Sequence, residues 1–365
     1  MKVNRFLFII SVFSLLFFSC KTTNFVEVKS SEYSVEITDN FKLTVSEAFE
    51  CVAMICHLAG FQEYQGNNEG GDITRYDEYF KPYLTQKSVA IAVNHFSLLR
   101  SKYGFAYDAP ASIATYMTSD CHGWRTDLST VKKHLDSRCV NPEQILKYVA
   151  DFYDATNFND FYENELDRHR EIIETKMENI DFFVSWKNYL ENYYKITVPT
   201  TTISFSFLNG RNNYGVSFVD KKNTYLEPKY WVNAMDSKDP YLFIHELSHP
   251  TSNPVAIKLY ENNTIKKYID GTMKGPKLQK MIQMTYGTGS TYLIELLNRA
   301  NTILIMQEFS EENYIERCLE YEKQNGFDEI EELVNILKEY KVNNFSSFMD
   351  FEAVLEKRFI EEICK

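Results

Sequence analysis

The sequence predicts an α+β fold that is mostly α-helical, with a small mixed or antiparallel sheet. Residues 33–195 carry repeated helix-start and helix-stop signals, whereas residues 200–219 alternate polar and apolar side chains as short strands do. After residue 240 the apolar spacing is helical again. We therefore expect a helical region at 33–195 and a second region at 196–365 that contains the sheet. Because 44% of the 365 residues are hydrophobic, the chain can bury a large core.

The N-terminal residues have the character of a bacterial export signal. Met1–Arg5 is basic, and Phe6–Phe18 is a run of apolar residues and serine that is too short to span a membrane. Cys20 follows at a position like a lipoprotein cleavage site, although phenylalanine replaces the usual leucine. We expect residues 1–19 to be a signal peptide, Cys20 to be lipidated and residues 20–32 to be a tether. This predicts a lipid-anchored protein of the bacterial cell envelope, and secretion without lipid is the alternative.

Capping signals predict the helices of the N-terminal region. Thr44 and Glu47 have capping-box spacing, Gly104 is a typical helix stop, and Asn141 before proline is a typical helix start. The predicted helices are Thr44 to about Ala59, Thr85–Tyr103, one from Asn141-Pro142, and a long stretch over Asn157–Tyr194 that breaks once near Ile180.

Two strands are predicted in the centre of the chain. Thr200–Leu208 alternates, Asn209-Gly210 is a turn signal, and Tyr214–Val219 is predicted to return as the second strand of a hairpin. This returning strand is our candidate for an edge that binds an extended substrate. A purely structural hairpin is the alternative.

The segment His245-Glu246-Leu-Ser-His249 has the most informative spacing in the chain, because it reads H-E-x-x-H. Residues four apart share one face of a helix, so His245 and His249 can bind one metal ion while Glu246 polarises a water. Asp239-Pro240 is a good start for this helix, and Pro250 predicts that the helix ends directly after the motif. The alternative is a surface helix with two solvated histidines.

A catalytic zinc site needs a third protein ligand and an open position. No histidine follows His249, so the third ligand is expected to be a carboxylate or a histidine far upstream. Glu295 is the strongest candidate, because it interrupts helical apolar spacing where an unpaired carboxylate is costly. Arg299, four residues later, could orient it, although the two could also form an ordinary surface ion pair. Weaker candidates lie in a more polar stretch: Glu308, Glu311 and Glu312.

These residues resemble the signature of a known family. His245–Pro254 is similar to the H-E-x-S-H-x-x-x-N-P pattern of the bacterial domain-of-unknown-function family 4932, and Glu295–Ala300 is similar to its E-x-x-x-R-A run. The resemblance implies a zincin-like core of the gluzincin type, in which a glutamate on a later helix completes the zinc site. It therefore implies that this chain is a metallopeptidase-like lipoprotein that holds one Zn²⁺ through His245, His249 and Glu295.

Hydrolysis at such a site also needs a base and a group that stabilises the oxyanion. Glu246 is the expected general base. Tyr286, Tyr292 and Asn253 are candidates for the second electrophile, and Tyr286 is preferred because Gly287-Thr-Gly289 suggests a mobile loop beside it. Asn253 and Arg299 are also expected to contact the ligands as supporting residues.

Charge and cysteine content narrow the classes of partner. The formal net charge is −12, and loss of Lys2 and Arg5 with the signal peptide gives −12 − 2 = −14, which argues against nucleic acid or anionic lipid as a partner.

Six cysteines follow Cys20, an even number that permits disulfides in an exported protein. Pairs close in sequence are Cys121–Cys139 and Cys318–Cys364, whereas Cys51 and Cys56 are expected to be buried thiols or long-range partners.

Three functional hypotheses follow from the sequence. The first is an exported zinc hydrolase that acts on peptides or proteins. The second is a catalytically inactive zincin-fold lipoprotein that binds a partner at the surface, and the intact Glu246 counts against it. The third is a structural envelope lipoprotein with an accidental motif, and the predicted Glu295 helix counts against that.

Overall fold

A computed structural model describes most of the chain that follows the predicted tether. The described residues are 33–65, 72–135, 141–210, 212–221, 223–234 and 240–365, with the backbone alone described at Asp72 and Glu312. The predicted signal peptide, Cys20 and the tether lie outside these residues. The described residues belong to one compact unit. None of their helices is long and apolar enough to cross a membrane.

Helices dominate the described residues, which confirms the mostly helical α+β prediction. In chain order they are α1 Glu47–Leu58, α2 Asp72–Phe80, α3 Lys87–Tyr103, α4 Ala109–Tyr116, α5 Leu128–Leu135, α6 Pro142–Thr156, α7 Phe158–Asn164, α8 Leu166–Met177, α9 Ile180–Tyr194, α10 Tyr241–Glu261, α11 Asn263–Thr272, α12 Gly275–Gln283, α13 Gly289–Met306, α14 Glu312–Gln324, α15 Ile330–Val342 and α16 Glu352–Glu362. Short 3₁₀ turns lie at Gln62–Tyr64, Lys81–Tyr83 and Met349–Phe351.

The strands form one small mixed sheet. They are β1 Ser34–Thr38, β2 Phe41–Thr44, β3 Thr201–Ser206, β4 Ser217–Asp220, β5 Asn223–Leu226 and β6 Lys229–Trp231. The order is β1-β2-β3-β5-β4, and β6 continues beside β3 after β5. The pairs β1–β2 and β4–β5 are antiparallel, whereas β3 runs parallel to β2, β5 and β6.

The sheet corrects two sequence predictions. Residues 34–44 form β1 and β2, although the region was expected to be helical, and they join the sheet of the second region. The predicted hairpin between residues 200–208 and 214–219 is wrong, because β4 pairs with β5 and not with β3. Gly210 does make a turn with φ +56°, but the chain leaves it towards a different strand. Alternation of polar and apolar residues reports which face of a strand is buried, and it carries no information about the pairing partner.

The predicted helix boundaries in the N-terminal region are partly confirmed. Gly104 ends α3 in the left-handed conformation, and the Asn141 side chain caps α6 by accepting the Gln144 N–H at 3.1 Å. The cap of α1 is Ser46, which accepts the Phe49 N–H at 3.4 Å, because Thr44 is the last residue of β2. The stretch 157–194 breaks twice, at residue 165 and at residues 178–179, where a single break was expected.

The most consequential difference concerns α10, which does not end at Pro250. It continues to Glu261 with Pro250 and Pro254 inside it. Each proline removes one backbone hydrogen bond, and that loss ordinarily breaks an isolated helix. Here α10 packs along α13 and against α9, so burial of both sides outweighs the missing bonds. The predicted cap Asp239 lies outside the described residues, and Pro240 occupies the N-cap position.

The helices α10 and α13 form the centre of the second half of the core. Residue 252 contacts residue 298 and residue 260 contacts residue 289, so the two helices run antiparallel. Nearly every residue of α13 is buried.

The cysteines Cys51, Cys56, Cys121 and Cys364 are thiols that form no disulfide. The pair Cys318–Cys364, which proximity in the sequence made plausible, is therefore not formed. Cys139, the other member of the pair with Cys121, lies outside the described residues.

Candidate metal centre

Three potential metal ligands converge between α10 and α13. His245 and His249 lie one helical turn apart, and their Nε2 atoms are 3.2 Å from each other. Glu295 on α13 places Oε2 at 3.5 Å from the first nitrogen and Oε1 at 3.6 Å from the second. All three side chains are shielded from solvent, with at most 12% of each exposed.

These separations can be tested against the geometry of zinc. A tetrahedral zinc ion with bonds of about 2.0–2.1 Å requires neighbouring ligand atoms about 3.4 Å apart. The three observed separations lie close to that value. The donor set of two imidazoles and one carboxylate is also the set found in catalytic zinc sites with an open position. The residues therefore fit Zn²⁺.

The charge state of His245 also favours a bound cation. Burial lowers the pKa of His245 well below its ordinary value, and the neighbouring His249 and Arg299 lower it further. A neutral imidazole offers a lone pair to a metal. Asn253 Oδ1 lies 3.0 Å from His249 Nδ1, so an N–H on Nδ1 can donate to it and leave Nε2 unprotonated towards the centre. Asn253 is thus in the supporting position that the sequence predicts.

A further supporting residue, Asn298, was not found from the sequence. Its Nδ2 donates to the carbonyl oxygen of His245 at 2.9 Å and lies 3.2 Å from Nδ1 of the same residue. Its Oδ1 accepts the Ser252 hydroxyl at 2.7 Å. Asn298 therefore fixes α13 to α10 beside the first ligand. The available signal was an amide three residues after Glu295 within an apolar helix, where a polar group needs partners.

Glu246 lies beside the ligands and is 7% exposed. Burial, with a smaller contribution from the nearby carboxylate of Glu295, raises its pKa to about 7 against the opposing effects of His249 and Arg299. The Gly215 N–H donates to this carboxylate. A Cβ at Gly215 would lie only 2.2 Å from the Glu246 carbonyl oxygen, the oxygen that Pro250 leaves without its helical donor. The segment before β4 thus packs directly on the motif.

The two tyrosine candidates differ in position. The Tyr286 hydroxyl lies 3.4 Å from Arg299 Nη2, and the charges of Glu295 and Glu246 act on it, so it belongs to the site. Burial raises its pKa above the ordinary tyrosine value, so the hydroxyl stays protonated and can donate. Tyr292 instead donates to Glu329, away from the metal ligands.

The weaker candidates for the third ligand lie elsewhere. Glu308 is exposed and forms an ion pair with Lys341, and Glu311 is the exposed N-cap residue of α14. The side chain of Glu312 is outside the described part of the structure. Upstream, His122 contacts Asp154 at 3.0 Å and does not join the motif. Among the described residues, His245, His249 and Glu295 form the one group of three that could hold a metal ion.

A comparison with known protein families, with curated proteins and with solved structures finds no match for this chain.

Proposed function

We propose that this chain is an exported, lipid-anchored zinc hydrolase that cleaves peptide bonds, with Glu246 as general base. The observation that carries the proposal is the convergence of His245, His249 and Glu295 at zinc-like separations with Glu246 next to them. The resemblance of these segments to gluzincin-like proteins supports the same function. Export and lipidation rest on the sequence of residues 1–20 alone.

The residues of the site can supply the steps of hydrolysis. A bound Zn²⁺ would make water more acidic and polarise a substrate carbonyl. Glu246 accepts the proton of the attacking water and passes it to the leaving amine. Tyr286 donates its hydroxyl proton in a hydrogen bond to the developing oxyanion. Asn253 and Asn298 hold the imidazoles in place during these steps.

The position of β4 supports an extended peptide as the substrate. Among the described strands, β4 is terminal in the sheet, and such an edge can pair with an added strand. Gly215, two residues before β4, touches Glu246 and the side chain of His249. A peptide held beside Gly215 and Ser217 would therefore pass close to the base and the candidate ligands, whereas further along β4 the Val219 N–H already donates to the Tyr116 hydroxyl.

Zinc content tests the site first. We expect the soluble chain from Lys21 to bind about one zinc per chain by elemental analysis, and His249→Ala and Glu295→Gln to lose it. His122→Ala is the matched control, because that histidine also contacts a carboxylate but lies outside the cluster. A wild-type chain that binds no zinc after metal addition contradicts the proposal.

Hydrolysis tests the activity separately. The zinc-loaded chain should cleave an unstructured protein, and a chelator should stop it. Stoichiometric zinc without cleavage of unstructured proteins or peptide libraries would reject the peptidase function and favour a binding protein. Zinc lost with His249→Ala but retained with Glu295→Gln would place the third ligand elsewhere.

A further inference from the structure

We propose that Glu322 on α14 is a positioning residue of the metal centre, which holds Arg299 so that Glu295 stays free to bind the metal. The inference rests on the zinc site of the proposed function, and it adds a residue that no sequence signal indicates, because α14 is an acidic, amphipathic helix. Glu322 is fully buried, although glutamate is rarely buried without a partner.

The contacts of Arg299 are unequal. Its Nη1 donates to both oxygens of Glu322, at 2.8 and 2.9 Å. Its Nη2 lies 3.4 Å from Glu295 Oε2 and 3.4 Å from the Tyr286 hydroxyl, which are long contacts. The strong ion pair is therefore with Glu322, and the contact with the candidate ligand is weak.

Glu322 also reaches the other ligand helix. Tyr241 in the first turn of α10 donates its hydroxyl to Glu322 Oε1 at 2.5 Å. The Tyr241 ring stacks against the imidazole of His245, with ring planes 13° apart and centroids 6.1 Å apart. One carboxylate thus connects α10, through Tyr241, with α13, through Arg299.

The pairing of Arg299 with Glu322 determines whether the oxygens of Glu295 bind Arg299 or a metal ion. A guanidinium forms strong, often two-pronged pairs with a carboxylate, and such a pair at Glu295 would occupy the lone pairs that a metal needs. With Glu322 neutralising Arg299, the two carboxylates and one guanidinium leave a net charge of −1 beside two imidazoles, which suits a divalent cation. Without Glu322, Arg299 would turn its hydrogen bonds towards Glu295.

Zinc affinity of the soluble chain from Lys21, titrated against a competing chelator, tests this role. We expect Glu322→Gln to weaken zinc binding about 10–100-fold, the usual effect of losing a group that supports a ligand. In an Arg299→Met background the same substitution should change affinity little, because Glu322 acts through Arg299. Glu227→Gln is the matched control, since it breaks another two-pronged arginine–glutamate pair, Arg125–Glu227 at 2.7 and 2.8 Å, whose glutamate is buried and is not one of the candidate ligands, and it should leave zinc affinity unchanged.

Each outcome decides between the two proposals. A wild-type chain without zinc affinity overturns both. Unchanged affinity in Glu322→Gln, or an equal loss with and without Arg299, overturns the positioning role and leaves the zinc site intact. If Glu322→Gln does not fold by circular dichroism, Arg299→Met/Glu322→Met replaces the buried pair by apolar side chains, which proteins often tolerate. That double variant should bind zinc as Arg299→Met does, and a further loss overturns the inference.

Discussion

Two buried carboxylate centres in this protein are built in opposite ways. At the start of α1, Glu47 accepts the Tyr153 hydroxyl at 2.6 Å and the Asn159 amide at 3.2 Å, and Glu50 accepts the Tyr76 hydroxyl at 3.1 Å. Between α10 and α13, Glu295 faces the Nε2 atoms of His245 and His249. Burial lowers the pKa of His245 and so keeps that imidazole neutral. The first centre supplies tyrosine and asparagine donors to one oxygen of each carboxyl group, whereas the second brings two imidazoles and a carboxylate together.

The difference is the reason for proposing that the second centre has a function beyond stability. Buried acceptors without donors are costly unless a cation or another donor satisfies them. Burial raises the pKa of both Glu50 and Glu246 to about 7, so a raised pKa alone does not distinguish the candidate base Glu246 from Glu50. The separation comes from what surrounds each group.

The largest expected contrast is in activity. Glu246→Gln should lower the rate of peptide hydrolysis about 10²–10⁴-fold, because it removes the base while keeping the shape of the side chain. Zinc content should stay near one per chain. Glu50→Gln is the control with the same burial and the same chemistry, and its rate should stay near wild type. Equal rate losses in the two variants would contradict the assignment of Glu246 as the base.

Removal of zinc by a chelator should lower the free energy of unfolding through the second centre and should not act through the first. With free zinc at about a thousand times its Kd, the metal should raise the free energy of unfolding by about 4 kcal/mol, and a chelator should remove that gain. His249→Ala should show no response to either treatment, whereas Tyr153→Phe in the first centre should respond as wild type does. Urea denaturation with and without zinc measures the effect. A zinc response that persists in His249→Ala would mean that the metal binds elsewhere.

The contact of Gly215 with α10 should tolerate no side chain. Gly215→Ala places a Cβ 2.2 Å from the Glu246 carbonyl oxygen, so we expect up to about 3 kcal/mol of destabilisation and a loss of hydrolysis. Gly271→Ala is the control, because a Cβ in this helical position of α11 meets nothing within 4 Å. It should stabilise the protein by up to about 1 kcal/mol. An unaffected Gly215→Ala would show that the segment does not pack on the motif.

The smallest effect concerns pH, and here the two centres should behave alike. The pKa of Glu246 is raised from 4.5 to about 7 in the folded chain, so the neutral carboxyl contributes stability that is complete below pH 4.5 and is lost as pH rises through 7. The metal-free Glu246→Gln variant has no carboxyl at this position, so its stability does not fall over this pH range. The free energy of unfolding of the variant minus that of the wild type should therefore grow by about 2 kcal/mol between pH 5 and pH 8 in urea denaturation. Glu50→Gln should show the same trend, and a flat difference for either would contradict the raised pKa.

The fold was predictable where the signal is local. The stop at Gly104 and the cap at Asn141 depend on residues close in sequence, and both predictions are confirmed. The pairing of β4 with β5 and the strands at residues 34–44 depend on distant neighbours, and those predictions are wrong. The prediction that α10 ends at Pro250 is wrong for a related reason. Packing of α10 against α13 and α9 outweighs the hydrogen bonds lost at Pro250 and Pro254.

By itself the sequence determined that His245 and His249 share a helix face, since a spacing of four is a property of the helix alone. It also indicated Glu295, because a carboxylate in an apolar helix demands a partner. Only the tertiary structure decided which partners the site has. Asn298, Gly215 and Glu322 reach it from other elements, and no local pattern records a contact made across dozens of residues. Local sequence patterns indicate the candidate ligands, whereas tertiary packing determines the residues that support them.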